Sequence, residues 1–293
     1  MKNSIITLAA VFTAALAVLA CGQTANAAKT KDLRIGSYNL RMQQLDKGDN
    51  DWSVRRGRVI RSIMDNKFDV FGVQELTDFA CEQLKEDLAD TYECIFFSPY
   101  SQDGVGTKAQ GIIFNKKRFK LIEYHYFWPS DTPFEVSLND HYTDGSGKSF
   151  KRGGICAVLK DKVSGKKIFF MNSHAALNKE ENFKYAHVFV DMEKQFNPKG
   201  YPSFFVGDLN ARPEHPTHGV LRAYWSDCAD TVSERPCTFN AFKTDPKTWD
   251  KSRNIDYIYY RNIAAPAKFE CNQTLYDGFC ASDHFPIWAD FKI

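Results

Sequence analysis

The chain has 293 residues, of which 43% are hydrophobic and 25% are charged, and its formal net charge is +2 at pH 7. A near-neutral charge argues against a protein that binds nucleic acid mainly through nonspecific phosphate contacts, because such proteins carry a clear basic excess.

The first 27 residues predict an export signal. Lys2 precedes an apolar run over Ile5–Ala20, and small residues follow it. Two cleavage sites are compatible with this pattern: Ala-Asn-Ala at 25–27 fits release, whereas 18–22 is an imperfect lipobox that would leave Cys21 as a lipid anchor. The run is too short to span a membrane with its flanks. We expect an exported protein that is periplasmic, secreted or anchored as a lipoprotein.

Residues 28–293 contain no Pro/Gly/Ser-rich linker, internal repeat or low-complexity tract. Their number is within the range of one large domain. Because the signal contains one lysine and no acid, the net charge of this part is +1. We therefore predict a single domain over 28–293.

In chain order, the sequence predicts short strands rich in Ile, Phe, Tyr and Val, with a few helices between them. Strands are expected at Leu33–Asn39, Val70–Gln74, Tyr92–Phe97, Ala109–Asn115, Phe119–Phe127, Ile155–Lys160, Lys167–Ser173, Ser203–Val206, Ile255–Tyr260, Lys268–Cys271 and Ile287–Phe291. Helices are expected at Ser53–Asn66, Thr77–Leu88 and Lys179–Phe196, and a loop at Pro129–Lys148. This pattern predicts the α+β class with two packed sheets.

Polar side chains follow several of these strands at the point where each strand ends. Asn39, Glu75 and His174 occupy such positions, and Asp208 and Asn210 project to the same side of an extended segment. Strand ends meet at one rim of a sheet sandwich, so we expect these side chains to converge. Each residue taken singly also fits a local role, as a turn former or a helix cap.

Two further positions extend this set. Asp256 lies between apolar residues inside a predicted strand, where an unpaired carboxylate is costly and requires a cation or an imidazole. Asp283 and His284 are adjacent in a Ser-Asp-His-Phe-Pro segment. A turn or a helix cap is the alternative for this pair.

Together these residues supply what metal-assisted phosphoester hydrolysis requires. Mg²⁺ prefers oxygen ligands, which Glu75, Asp283 and Asn39 offer. Asp208 and Asn210 are predicted to hold the attacking water, and His174 to donate to a phosphoryl oxygen. His284, paired with Asp256, is expected to be a base of near-neutral pKa.

The segments around these residues resemble the ordered motifs of the endonuclease/exonuclease/phosphatase family over essentially all of residues 33–293. The matching segments are Ser37–Leu40, Gln74-Glu75, Asn172–His174, Gly207–Ala211, Ile255–Ile258 and Ser282–Pro286, with secondary similarity at Phe127–Pro133 and Thr238–Phe242.

The resemblance implies a four-layer α/β/β/α sandwich of two mostly antiparallel sheets, with cleavage of a phosphoester that depends on Mg²⁺ or Mn²⁺. It also implies residue roles. Glu75 is the principal metal ligand, assisted by Asn39 and Asp283. Asp208 orients or deprotonates the water, Asn210 holds the phosphate and His174 stabilises the transition state. His284 pairs with Asp256 or Asp283.

The chain departs from many members after His174, where they continue as Leu-Asp-His followed by a small residue and arginine. Here the segment is Ala175–Leu177, followed further on by Asn182–Lys184. We expect recognition of the leaving group or of a terminal phosphate to differ. Arg152 occurs where many members place an arginine near the site, so it is a candidate substrate contact. A solvated charge at a strand start is the alternative.

The cysteines predict disulfides, since an exported protein meets an oxidising compartment. The sequence-local pairs are Cys81/Cys94, Cys228/Cys237 and Cys271/Cys280, with Cys156 as a buried thiol. A structural zinc site is disfavoured because no CxxC pair is present.

The function predicted first is an exported phosphodiesterase or endonuclease-like hydrolase. The alternatives are a phosphomonoesterase for a phosphorylated sugar or inositol, and a sphingomyelinase-like phospholipid hydrolase. A catalytically inactive surface binding module would be expected to lack one of the site residues, and none is missing. The expected partner is thus a phosphoester substrate, whether nucleic acid, phospholipid or sugar phosphate, and no obligate protein partner is inferred.

Overall fold

The computed structural model describes residues 32–43, 45–99, 109–136 and 152–293. The export signal and Cys21 lie outside these residues, as does most of the loop expected at Pro129–Lys148. None of the helices in the described part has the length and apolar composition needed to cross a membrane.

Twelve strands in the described part form two mixed six-stranded sheets. The first sheet has, from edge to edge, β11 (Lys268–Cys271), β12 (Ile287–Lys292), β1 (Asp32–Asn39), β2 (Val70–Leu76), β4 (Ala109–Asn115) and β3 (Tyr92–Phe97). The second has β5 (Phe119–Phe127), β6 (Gly154–Asp161), β7 (Lys167–His174), β8 (Ser203–Asp208), β10 (Asp256–Arg261) and β9 (Ser226–Asp227).

The sheets pack face to face, and helices cover their outer faces. The central core contains Ile35, Val70 and Phe114 of the first sheet against Ile155 and Phe204 of the second. Helices α1 (Trp52–Asn66) and α2 (Asp78–Leu88) cover the first sheet, and α3 (Lys179–Phe196) and α4 (Thr217–Arg222) cover the second. The α+β four-layer sandwich is therefore confirmed.

Side-chain caps define where the helices begin. Asp51 accepts a hydrogen bond from the backbone N–H of Ser53 at the start of α1, and Thr77 does the same from Ala80 in α2. The Asn178 side chain accepts from two backbone N–H groups of the first turn of α3. These caps satisfy backbone donors that a helix leaves unpaired.

Two parallel strand pairs determine where the site lies. All other pairings in the described part are antiparallel, but β1 runs parallel to β2 and β7 runs parallel to β8. Asn39 is in register with Gln74, and His174 with Asp208. Since parallel strands end at the same edge of a sheet, the carboxyl ends of all four strands reach one rim of the sandwich.

The expected disulfides are not formed, and all seven described cysteines are free thiols. Each thiol near the rim has another neighbour: the Sγ atoms of Cys237, Cys271 and Cys280 lie 3.1, 3.5 and 3.4 Å from the backbone oxygens of Phe239, Cys237 and Lys243. Cys228 packs within the apolar core between the sheets. Cys81 packs within the apolar cluster under α1 and α2, and Cys94 packs against that same cluster. Sequence proximity was a poor guide because buried cysteines also serve as small apolar side chains. Cys156 is buried in β6, as expected.

Candidate active site

The rim formed by β1, β2, β7 and β8 brings the predicted polar residues together. Asn39 ends β1, His174 ends β7 and Asp208 ends β8. Each is at most 3% exposed. A polar cluster this deeply buried is costly unless its members satisfy one another or bind a charged ligand.

Glu75 reaches the rim through an irregularity in β2. The register between β2 and β4 shifts between Val73 and Leu76, and Glu75 adopts a left-handed backbone conformation with φ of 59°. A non-glycine residue in this region is strained, and such strain is found most often at functional sites. The bulge turns the carboxylate of Glu75 toward His174, whose Nε2 lies 3.9 Å from Oε1.

The carboxylate of Asp208 is the centre of the cluster. Its Oδ2 accepts a hydrogen bond from Nδ2 of Asn39 at 2.9 Å and lies 3.3 Å from Nε2 of His174 and 3.7 Å from Nε2 of His284. Burial disfavours the charged carboxylate, but the two imidazoles outweigh this effect and lower the pKa of Asp208. Asp208 is therefore ionised at neutral pH.

His284 pairs with Asp256, with 2.9 Å between Nδ1 and Oδ2. Burial lowers the pKa of His284, but Asp256, Asp208 and Asp283 raise it further, to about 10. Burial raises the pKa of Asp256 to about 6. At neutral pH the pair is thus a carboxylate with an imidazolium. The expectation of a near-neutral pKa for His284 was wrong, because the number of carboxylates around it depends on the fold.

His174 has the opposite character. Burial and the nearby positive charge of Arg152 lower its pKa to about 4, so its imidazole is neutral. Its Nε2 lies 2.9 Å from Nδ2 of Asn210, and that amide also donates to the backbone oxygen of Ala175. Arg152 is itself only 3% exposed. The structure therefore places Arg152 beside the site, as the sequence suggested, and its contact with substrate stays a prediction.

Asn39, Glu75 and Asp283 form an oxygen-rich group suited to a hard cation. Burial raises the pKa of Asp283, and the nearby charge of Glu75 raises it further. His284 acts in the opposite direction, but its effect is smaller than that of burial. A cation between two such carboxylates would relieve their repulsion. The Asn39 Oδ1 atom accepts one hydrogen bond, from the backbone N–H of Arg41, and has a second lone pair for a ligand. The chemistry of these donors fits Mg²⁺ or Mn²⁺.

A second group, Asp208, Asp256 and His284, also has ligand atoms within 4.8 Å of one another. Its imidazole is already paired with Asp256 through Nδ1, and the surrounding carboxylates favour its protonated form by raising its pKa. The geometry instead favours an acid–base group beside the oxygen-rich set.

Sequence reasoning missed several residues that support the site. Arg41 has Nη1 3.5 Å from Oδ2 of Asp283 and forms an ion pair with Asp46. In the sequence, the feature that could have identified Arg41 is its position two residues after Asn39. Behind the rim, Nε2 of Gln74 donates to Oδ1 of Asn172 at 2.7 Å and so connects the two sheets.

The guanidinium of Arg55 was also missed, because nothing in the α1 pattern marks it as buried. It is completely buried and donates to the backbone oxygens of Leu40, Arg41 and Ala281, as well as Asn50. These carbonyls belong to the segments that follow Asn39 and precede Asp283. Arg55 therefore joins the two segments that carry metal-ligand candidates.

Comparison with known proteins identifies the family of this chain. The sequence model described as the Endonuclease/Exonuclease/phosphatase family matches residues 36–284. No curated protein matches the sequence significantly.

Solved structures show the same fold. An endonuclease/exonuclease/phosphatase family protein from Bacteroides thetaiotaomicron has a TM-score of 0.77 and 23% identity, covering 90% of this chain and 98% of that one. The mannosyl-6-phosphatase Bt3783 of the same organism has a TM-score of 0.74 and 24% identity, with coverage of 88% and 98%. D. rerio TDP2, solved with a single-strand DNA product, has a TM-score of 0.67 and 23% identity, with coverage of 89% and 99%.

Proposed function

The chain belongs to the endonuclease/exonuclease/phosphatase family and is a metal-dependent phosphoric ester hydrolase, and we propose that it cleaves phosphodiesters with Mg²⁺ or Mn²⁺. One observation carries the proposal: a single oxygen of Asp208 lies within 4 Å of the Asn39 amide and of two imidazoles. That carboxylate is ionised, immobilised and buried, as a group that orients a water must be.

In this mechanism, Asp208 orients a water and accepts its proton as the bond between the water oxygen and phosphorus forms. The bond between phosphorus and the leaving oxygen breaks, the leaving oxygen takes a proton from solvent, and Asp208 returns its own proton to solvent. Asn210 and His174 contact each other next to this carboxylate, where they would line the phosphoryl oxygens. The His284 imidazolium, whose charge Asp256 stabilises, has Nε2 3.7 Å from the same Asp208 oxygen and offsets the charge that develops on phosphorus.

Asn39, Glu75 and Asp283 would hold the cation. When bound, it supplies Lewis-acid polarisation of the phosphoryl group. Arg41 neutralises part of the acidic charge at the same place, since it contacts Asp283.

Preference for a diester is supported by the space beside Asn210. A cleft of about 980 Å³ opens there, lined by this residue and by the first turn of α3. A phosphodiester has two organic substituents, and one of them requires room of this kind. A monoester has one such substituent, so it requires room on only one side of the phosphate.

Phosphomonoester hydrolysis is the second candidate, and the arginines favour it. Arg41 and Arg152 both lie near the cluster, and two guanidinium groups suit the dianionic phosphate of a monoester. The mannosyl-6-phosphatase with this fold acts, by its name, on such a substrate.

Hydrolysis of matched esters distinguishes the two candidates. We expect purified protein with Mg²⁺ or Mn²⁺ to cleave bis-p-nitrophenyl phosphate with a higher kcat/KM than p-nitrophenyl phosphate, and EDTA to abolish both activities. A preference for the monoester would replace the diesterase proposal by the second candidate. Plasmid DNA and sphingomyelin extend the panel to natural diesters.

We further propose that the protein acts outside the cytoplasm, on the basis of the sequence of residues 1–27. Mass spectrometry of the mature N-terminus tests this proposal. An N-terminus at Ala28 indicates release, and a lipid-modified Cys21 indicates anchoring. An intact N-terminus in the native organism would contradict export.

A further inference from the structure

The cleft beside Asn210 has a composition that the hydrolytic chemistry does not require. Its walls come from the segment after β7, from the start of α3 and from the segment after β8. They contain Leu177, Lys179, Glu180, Phe183, Lys184, Asn210, Arg212, Glu214, His215 and Pro216. Asn210 lines it and is proposed to hold the phosphate, so a group bound in the cleft would be a substituent of that phosphate.

Two large apolar side chains are exposed in this cleft. Leu177 is 43% exposed and Phe183 is 39% exposed. The Phe183 ring contacts His187 edge-to-face, with 5.4 Å between the centroids, which restricts its position. Apolar side chains left open to solvent beside a reaction centre indicate contact with an apolar or aromatic part of the substrate.

The segment that presents Leu177 is held rigidly. The Asn182 side-chain amide donates to the backbone oxygens of Ala176 and Leu209, at 2.8 and 2.6 Å. Its Oδ1 accepts from the hydroxyl of Thr217 at 2.8 Å. The cleft is therefore preformed, and the residues that depart from the family pattern after His174 build it.

The charges on the cleft are mixed. Lys179 forms no ion pair with another described residue, whereas Lys184 pairs with Glu181 and Arg212 with Asp250. Glu180 and Glu214 also line the cleft and form no ion pair with another described residue. Two exposed apolar side chains beside unpaired charges of both signs suit a flat, uncharged group with an aromatic face and polar edges, such as a nucleobase. A lipid chain would require a continuous apolar surface instead.

We propose that this cleft binds a nucleobase of a nucleotide diester by stacking on Phe183, next to Leu177. The proposal rests on the proposed hydrolysis at Asp208 and adds the substrate class. Stacking on an aromatic side chain is tolerant of base identity, so little sequence preference is expected.

The test compares thymidylyl-thymidine with two analogues, each of which has one thymine replaced by hydrogen. In the wild type, loss of the base that occupies the cleft should lower kcat/KM about tenfold. Phe183→Ala should lower kcat/KM for the complete dinucleotide by a similar factor, and the two losses should not add. Phe183→Trp should retain the preference for the base.

Phe79→Ala is the matched control, because Phe79 is 61% exposed on α2, which covers the other sheet. It should keep the wild-type ratio between the substrates. Equal rates for all three dinucleotides, or losses that add, would overturn the proposal. If the protein hydrolyses none of them, the diesterase proposal fails by itself. NMR titration of the same compounds in EDTA then decides: base-dependent binding lost in Phe183→Ala supports the cleft, and base-independent binding rejects it.

Discussion

The Nδ1 atom of His284 lies 2.9 Å from Oδ2 of Asp256, and the two side chains are almost completely buried. This contact makes His284 a cation at neutral pH, since the neighbouring carboxylates raise its pKa to about 10. A substitution at Asp256 that breaks this contact should therefore change the pKa of His284.

Asp256→Asn should move the alkaline limit of activity to lower pH. The substitution removes a negative charge from the imidazolium, so the pKa of His284 falls and the proton is lost earlier as pH rises. The wild type should show a level kcat/KM between pH 7 and 9, whereas the variant should lose activity within that range. Parallel profiles would show that Asp256 does not control this proton.

Gly207→Ala should disrupt the rim. A Cβ atom at this position would lie 1.9 Å from the backbone oxygen of Ser173, and φ is 155°. Separating β7 from β8 there moves Asp208, and we expect a loss of about 1–3 kcal/mol in the free energy of unfolding together with a large fall in kcat. Gly219→Ala is the control, since no atom outside the adjoining residues and backbone of its own helix lies within 4 Å of its added Cβ. Urea unfolding and kcat measure both effects, and equal behaviour of the two variants would contradict the close-approach argument.

Arg55→Met should destabilise the protein by at least about 3 kcal/mol, because several buried carbonyl oxygens lose their donor. It should also weaken metal binding, since the segments next to Asn39 and Asp283 are released. Arg56→Met removes the neighbouring arginine, which forms a more exposed pair with Asp87, and should cost less than about 1 kcal/mol. Similar unfolding midpoints for the two variants would show that Arg55 has no special role.

We expect the buried side chain of His218 to make the folded protein less stable in acid. It lies behind Ala211, with Nε2 3.2 Å from that backbone oxygen and Nδ1 2.7 Å from the hydroxyl of Tyr259. Burial lowers its pKa to about 4, while the unfolded value is about 6.5. The contribution of neutral His218 is thus complete above about pH 6.5 and lost as pH falls toward 4.

We therefore expect His218→Gln to be less stable than wild type at pH 7.5 but to lose less stability between pH 7.5 and 5. Urea midpoints at several pH values measure this difference. His174 also has a lowered pKa, but it is present in both proteins, so its contribution to the pH dependence of stability is the same in both. An equal loss in both proteins would mean that His218 does not contribute to the acid sensitivity.

Sequence patterns located most of the fold because the strands are short, apolar and clearly bounded. Phe119–Phe127 and Lys179–Phe196 have the predicted bounds, and β2 was missed only by the two residues of its bulge. The short α4 and β9 had no periodic signal, since two to six residues contain too few positions to establish a period.

The sequence predicted which residues form the candidate site, but it did not predict the protonation states of the two histidines. Glu75, His174 and Asp208 converge as strand-end positions require. The opposite pKa shifts of His174 and His284 depend on which charges surround each ring, and Arg152 and Asp256 come from distant parts of the chain. Disulfide pairing failed for the same reason, because distances in space do not follow distances in sequence.

The most direct test of the account is the dependence of bis-p-nitrophenyl phosphate hydrolysis on Mn²⁺ in the wild type and in Glu75→Gln. We expect activity that is absent in EDTA, restored by Mn²⁺, and reduced by orders of magnitude in the variant at the same Mn²⁺ concentration. A Glu75→Gln protein with near-normal turnover, or a wild type whose turnover persists in EDTA, would contradict a metal-dependent site built on this carboxylate.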